Sequence, residues 1–180
     1  MSVRYYIPLR HDAVARYIWN AVRRKNCQQR SFDKHDRFPM ESEFIDVWQG
    51  REFWWNVPVK TCTRVKHNRP DIVAWDHQRK ECAIIEISCP LDLNIAEKET
   101  EKENIYAPLI RNMQLMYPGY SFTFIPVVIG ATGYVTKHLT NYLKQAGFND
   151  QDLPQMVRKL QILAVTGTVK IAKTFMNFKL

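Results

Sequence analysis

The spacing of apolar residues along the chain separates into helix-like and strand-like stretches. Val14, Ile18 and Val22 recur at i, i+4 and i+8, which predicts a helix over Asp12 to Arg24 with Asp12 as its N-terminal cap. Asn26 to Met40 is polar and mixed in charge (Asp33, Lys34, His35, Asp36, Arg37), a composition that predicts a loop or linker. Phe44 to Trp55 is rich in aromatic residues, but no clear period types it as strand or helix. Beyond it, Val57, Val59 and Val65 are β-branched and predict extended chain, with Pro58 restricting that segment to an edge or a strand entry.

Clearer signals follow. Asp71 to Asp76 and Cys82 to Ser88 read as two strands separated by His77-Gln78-Arg79-Lys80-Glu81. A long helix is predicted from about Ile95 to Met116. Asn94 and Glu97 stand at capping-box spacing before it, and Tyr117-Pro118-Gly119 stops it. Tyr120 to Ile129 is a strongly apolar strand, with Gly130 and Gly133 marking the turn beyond. Two closing helices span about Thr136 to Ala146, with Gly147 as C-cap, and Leu153 to Phe175. The order of one helix, three strands, a helix, a strand and two helices argues a mixed α/β domain.

The hairpin carries the first chemical signal. If its turn centres between Gln78 and Arg79, Asp76 faces Glu81 and Asp71 faces Glu86. Directly opposed residues of an antiparallel pair have Cβ atoms about 4.5–5.5 Å apart, and like charges there are destabilising unless a cation lies between them. The plainer alternative is an edge hairpin whose acids point into water. Against it, Asp71 and Glu86 share their face with Val73, Trp75, Cys82 and Ile84, while Ile72, Ala74, Ala83, Ile85 and Ile87 make the other face apolar too. A divalent metal such as Mg²⁺ (or Mn²⁺), which takes carboxylate oxygens plus water and substrate phosphate, suits the pair.

On the long helix Ile95, Lys98, Lys102, Ile105, Tyr106, Leu109, Met113 and Met116 fall on one arc of about 100°. Lys98 and Lys102 therefore begin the stripe that faces the core. Their i, i+4 repulsion is relieved if carboxylates or an anion sit nearby. Snorkelling accounts for Lys98 at least as well; for Lys102 a role beside the carboxylates is preferred. Composition adds a partner class. The 180 residues hold 26 basic and 18 acidic side chains, a net +8 that favours a polyanion. Lys66 and Arg69, with Arg64, precede Asp71 and suit phosphates, which position a duplex without reading its sequence. Arg158, Lys159, Lys170, Lys173 and Lys179 make the last helix basic. Trp48, Trp54 and Trp55 read as core before base-stacking platform. The four cysteines show no metal-ligand spacing and read as buried, reduced thiols. No apolar run approaches the roughly 18–20 residues that span a bilayer, and Met1 to Arg10 does not read as a secretory signal.

Several motifs together resemble one lineage: Asn68-Arg69-Pro70-Asp71-Ile72-Val73, Ile84-Ile85-Glu86-Ile87-Ser88-Cys89-Pro90, Glu101-Lys102, Tyr106-Ala107-Pro108-Leu109 and Tyr117-Pro118-Gly119-Tyr120. They look like the restriction-like, PD-(D/E)xK endonuclease region at the C-terminus of non-LTR retrotransposon polyproteins, downstream of the reverse transcriptase. Arg10-His11-Asp12 and Lys170-Ile171-Ala172-Lys173-Thr174-Phe175 are similar to the flanking connector and tail. The resemblance implies a restriction-endonuclease-like mixed sheet flanked by helices, with a helical connector over 1–40 and the endonuclease domain over 41–180. It implies Mg²⁺-dependent nicking of duplex DNA in the nucleus, the nick priming reverse transcription, and element RNA or a fused reverse transcriptase as partners. Asp71 and Glu86 would be catalytic, metal-binding carboxylates and Lys102 the relocated catalytic lysine, with Tyr106 close by and Lys66, Arg69 and Lys98 toward nucleic acid. Two departures stand out: Ser88 occupies the usual lysine position of the fold, and Ile105 stands where relatives carry a second lysine. No zinc knuckle or polymerase motif is recognisable. These departures keep open a fragment, or a domesticated remnant that binds DNA without cutting it.

Overall fold

The structure, a computed structural model, describes residues 6–27 and 42–177; most of the predicted linker therefore lies outside the described residues. Helix α1 (Tyr6–Asn26) is followed by strands β1 (Phe44–Trp48), β2 (Arg51–Trp55), β3 (Ile72–Asp76) and β4 (Glu81–Ser88). Then come helix α2 (Ile95–Met116), strand β5 (Ser121–Val128) and helices α3 (His138–Gln145) and α4 (Leu153–Asn177). The five strands form one sheet in the order β1-β2-β3-β4-β5, so the architecture is α/β with a mixed sheet flanked by helices.

Local chemistry explains the turns. Trp48 pairs with Arg51, leaving Gln49 and Gly50 as a two-residue loop, both at positive φ, the conformation that matches strand twist in a tight hairpin. Asp76 pairs with Glu81, and its Oδ1 accepts the backbone N–H groups of Gln78 and Arg79 at 3.1 and 3.0 Å, an Asx-type closure of the turn. β1 to β4 are antiparallel neighbours. β5 runs parallel to β4: the Ser121 N–H donates to the Lys80 carbonyl and the Ile129 N–H to the Ser88 carbonyl, the two bonds advancing in the same direction. A parallel neighbour needs a long crossover, and α2 supplies it.

The chain divides into two compact units, 19–86 with 100–126, and 1–18 with 87–99 and 127–180. In the first, alternate strand residues Val73, Trp75, Cys82 and Ile84 pack with Tyr106, Leu109 and Met113 of α2. Phe53, Trp55, Ile72 and Ile85, on the other face, are also buried, and Trp19 meets Trp55 and Phe44 edge to face at 5.8 and 6.2 Å. Beside Trp19 the Arg23 guanidinium binds Asp46 of β1, Nε to Oδ2 at 2.6 Å. In the second unit Gly167, within α4, admits Arg10: a Cβ there would lie 2.6 Å from the Arg10 Cγ. That approach lets Arg10 donate to Thr168 Oγ1 at 2.9 Å and to the Cys89 carbonyl. Buried Glu99 accepts from Thr136 Oγ1 at 2.6 Å and bonds His138 Nδ1 at 3.0 Å.

Several expectations are corrected. α1 begins at Tyr6, more than a turn before Asp12, which is therefore a mid-helix residue and no cap; Val14, Ile18 and Val22 are its buried stripe as expected. The untyped aromatic segment is the β1–β2 hairpin, whereas Val57 to Val65 forms no strand. Both edges of β3 are already taken by β2 and β4. The 56–71 segment instead closes on itself, the Asn56 N–H reaching the Asp71 carbonyl at 2.8 Å and the Val59 N–H the Asn68 carbonyl at 2.7 Å. Asn94 belongs to a 3₁₀ turn, Asp92–Asn94, leading into α2. Cys27 and Cys82 are buried as expected, but Cys62 is exposed. Among the described residues no helix is long and apolar enough to cross a membrane.

Arg23 and Asp46 are 3% and 8% exposed, so removing the carboxylate takes a charge partner from a buried guanidinium. Asp46→Ala is expected to cost about 3–5 kcal/mol of stability, read by urea unfolding. A loss below about 1 kcal/mol would show that water reaches the pair and screens it.

Candidate functional site

Strand register brings the carboxylates together. The β3–β4 ladder runs from Asp76 opposite Glu81 to Ile72 opposite Ile85, so the next pair, at its open end, is Asp71 with Glu86. The Asp71 N–H points at Glu86 Oε2, 3.3 Å away. Both side chains belong to the same alternation as Val73, Trp75, Cys82 and Ile84, the face that α2 covers. Glu86 is buried and Asp71 half-buried.

α2 brings the cation. Tyr106, Leu109 and Met113 seat the helix on the strands, and one turn before Tyr106 the Lys102 ammonium donates to Glu86 Oε1 at 2.7 Å. Tyr106 is buried, stacks on Phe124 at 5.3 Å, and donates its hydroxyl to the Arg69 carbonyl at 3.2 Å. That bond pins the backbone entering Pro70-Asp71. A second brace comes from Asn112, buried one and a half turns further along α2. Its Oδ1 accepts the Thr63 N–H and hydroxyl at 3.1 Å each, and its Nδ2 donates to the Pro108 carbonyl at 3.3 Å. Asn112 ties the irregular 56–71 segment to the helix that carries Lys102.

The electrostatics follow from this crowding. Burial raises the Glu86 carboxyl above its ordinary range and the neighbouring Asp71 charge adds to that, while the bonds and charge of Lys102 and the Tyr106 hydroxyl pull it back. Burial also raises the Tyr106 phenol, with the charge and hydrogen bond of Glu86 and the charge of Asp71 acting in the same sense. The hydroxyl thus keeps its proton and serves as a donor. A carboxyl raised in the folded state holds its proton more tightly than in the unfolded chain. The stability it contributes is full below the ordinary carboxylate range and declines as pH rises from there toward the raised value.

The remaining expected residues divide. Arg69 is exposed, and its guanidinium bonds Glu43 Oε1 at 2.5 Å. Glu43 had no visible signal in the sequence, because it precedes β1 by one residue and belongs to no periodic face. Lys66 and Arg64 are exposed. Lys98 is half-buried one turn before Lys102 on α2, and Ile105 packs at the margin of the core. Glu99 and Asn112 are the buried polar residues of α2 that the apolar stripe did not include, and Met116, placed on that stripe, is exposed.

Mg²⁺ is commonly held by one or two carboxylates, with water and substrate phosphate completing the shell. Asp71 and Glu86 fit that donor chemistry, and their mutual repulsion is the kind a cation relieves. Among the described residues no group of three or more His, Cys, Asp or Glu side chains is arranged to hold a metal ion. No protein-family model matches the chain, and no curated protein matches it.

Carbon-detected NMR titration of Glu86 tests the electrostatics. Lys102→Met is expected to move its midpoint further up, and Asp71→Asn to move it down. Two shifts of the same sign, or none, would contradict the arrangement.

Proposed function

We propose that the chain is a metal-dependent DNA endonuclease domain of restriction-endonuclease-like type, a piece of a non-LTR retrotransposon protein that nicks duplex DNA. The observation that supports this best is the arrival of Lys102 on Glu86, opposite Asp71. Three ionisable groups from separate stretches of sequence meet at one open strand end, a place where function and not packing accounts for the charge. Asp71 and Glu86 would hold Mg²⁺, which when bound lowers the pKa of water and neutralises phosphate charge. Lys102, held in place by Glu86, offers the ammonium that Ser88 cannot, and an ammonium beside a phosphodiester stabilises the charge that builds during cleavage. Tyr106, through the Arg69 carbonyl, holds Pro70-Asp71 in position. Exposed Lys66 suits the backbone of the flanking duplex, and nuclear location and a fused reverse transcriptase belong with the same reading.

A second reading, a DNA-binding remnant that no longer cuts, draws support from Arg69 and Lys102 each being bonded to a carboxylate of the chain. The two readings part on a supercoiled plasmid with Mg²⁺. The endonuclease reading expects nicking that Asp71→Ala and Lys102→Ala each reduce by about 100-fold or more. Undiminished nicking by Asp71→Ala sinks it. Duplex binding that survives EDTA, with no nicks at all, selects the remnant.

A further inference from the structure

Residues 59–68, between β2 and β3, form a closed loop. The Val59 N–H donates to the Asn68 carbonyl at 2.7 Å, and Asn68 Nδ2 donates back to the Val59 carbonyl at 3.1 Å. Val59 is buried in the core beneath α2, and Val65 packs against the same cluster. With its valines committed to the core, the loop leaves Lys60, Arg64 and Lys66 exposed. From Asn56 to Pro70 the sequence holds no Asp or Glu, so the charged side chains of this loop are all basic.

One amide on α2 holds the tip of the loop. Asn112 Oδ1 accepts the Thr63 N–H and hydroxyl at 3.1 Å each and the Cys62 thiol at 3.0 Å, and Nδ2 lies 3.0 Å from Thr63 Oγ1. Its neighbours on the helix, Leu109 and Met113, are apolar and fully buried. A buried amide among such residues is costly unless it is bonded. Here its bonds go to an exposed basic loop, and what they secure is that loop's conformation. Loose cations also attract a polyanion, but ordering them on binding costs affinity, and a loop already fixed avoids that cost. The Tyr106 bond to the Arg69 carbonyl fixes the chain just beyond, on the way to Asp71.

We propose that Asn112 is a positioning residue that holds residues 59–68 as a preformed cradle for the backbone of duplex DNA, with Lys60, Arg64 and Lys66 taking the phosphates. This rests on reading the chain as a DNA-acting domain, but the cradle needs neither metal nor carboxylates. The test is fluorescence anisotropy of the full chain with a fluorescein-labelled duplex in EDTA, over a series of salt concentrations. Arg64→Gln combined with Lys66→Gln removes two phosphate contacts, and the slope of log affinity against log salt flattens by about 1.8. Arg158→Gln combined with Lys159→Gln, the same loss of charge at exposed positions of α4, changes the slope by less than about 0.5. Asn112→Leu keeps the cations and therefore the slope, but lowers affinity by roughly tenfold at every salt concentration, since the loop must now be ordered on binding. Thr63→Val, at an exposed position, shifts the line in the same parallel way by about threefold, and it decides the question if Asn112→Leu does not fold. Folded brace variants that melt earlier in urea yet bind as the parent does would make Asn112 purely structural and overturn its role. Equal flattening by the two charge pairs overturns the cradle. A parent chain that binds no duplex at low salt overturns the cradle together with the DNA reading, whereas one that gives the expected pattern but never nicks a plasmid supports the cradle and sinks the endonuclease reading alone.

Discussion

Two carboxylates held opposite each other at the end of a hairpin are the constraint on which the rest of the site depends. The register that pairs Asp76 with Glu81 leaves no freedom at the other end: Asp71 and Glu86 must meet, on the face that carries Val73, Trp75, Cys82 and Ile84. Slipping by one residue would separate the acids but would turn every one of those apolar side chains to the other face. The fold keeps the register and answers the repulsion with Lys102. An ion pair this enclosed contributes little net stability after desolvation, yet removing its cation would leave a buried carboxylate beside a second negative charge. Its value is positional.

That position is secured from α2. Tyr106 and Asn112, spaced along the helix, bind two points of the irregular 56–71 segment, at the Arg69 carbonyl and at Thr63. The backbone entering Asp71 is thereby tied to the same helix that delivers Lys102. Pro108 sits inside that helix, and its carbonyl is one of the acceptors of Asn112. The brace also accounts for a loop in which valines at strand-like spacing form no strand.

The net charge of +8 resolves into different environments. Arg23 and Lys102 are bonded to carboxylates within the protein and serve geometry. Lys66 and Lys159 lie on the surface, where a solvated charge attracts a polyanion at long range and does so less at high salt. Lys25, Arg51 and Arg79 line one cavity, and Arg51 is bonded there to Asp76. Composition alone cannot distinguish these uses, because it counts charges without their neighbours.

Local patterns by themselves determined the α/β class, α2 with its stop at Gly119, the strand pair β3 and β4, and the facing of Asp71 and Glu86. Each of these follows from a period of two or of 3.6 and a turn whose residues admit few geometries. The stripe on α2 also marked Lys102 and Tyr106 as facing the core. Periodicity did not reach the β1–β2 hairpin, where aromatic residues on both faces hide the alternation, nor the true start of α1. It assigned Val57 to Val65 to extended strand because β-branched residues carry that preference, while the places beside β3 were filled by other strands. Only the tertiary structure decided which oxygen Lys102 meets, that Glu43 holds Arg69, that Asn112 is buried, and that three cations share a recess with Trp48. Those are contacts between residues far apart in the chain, set by how helices seat on the sheet, and no local spacing encodes them.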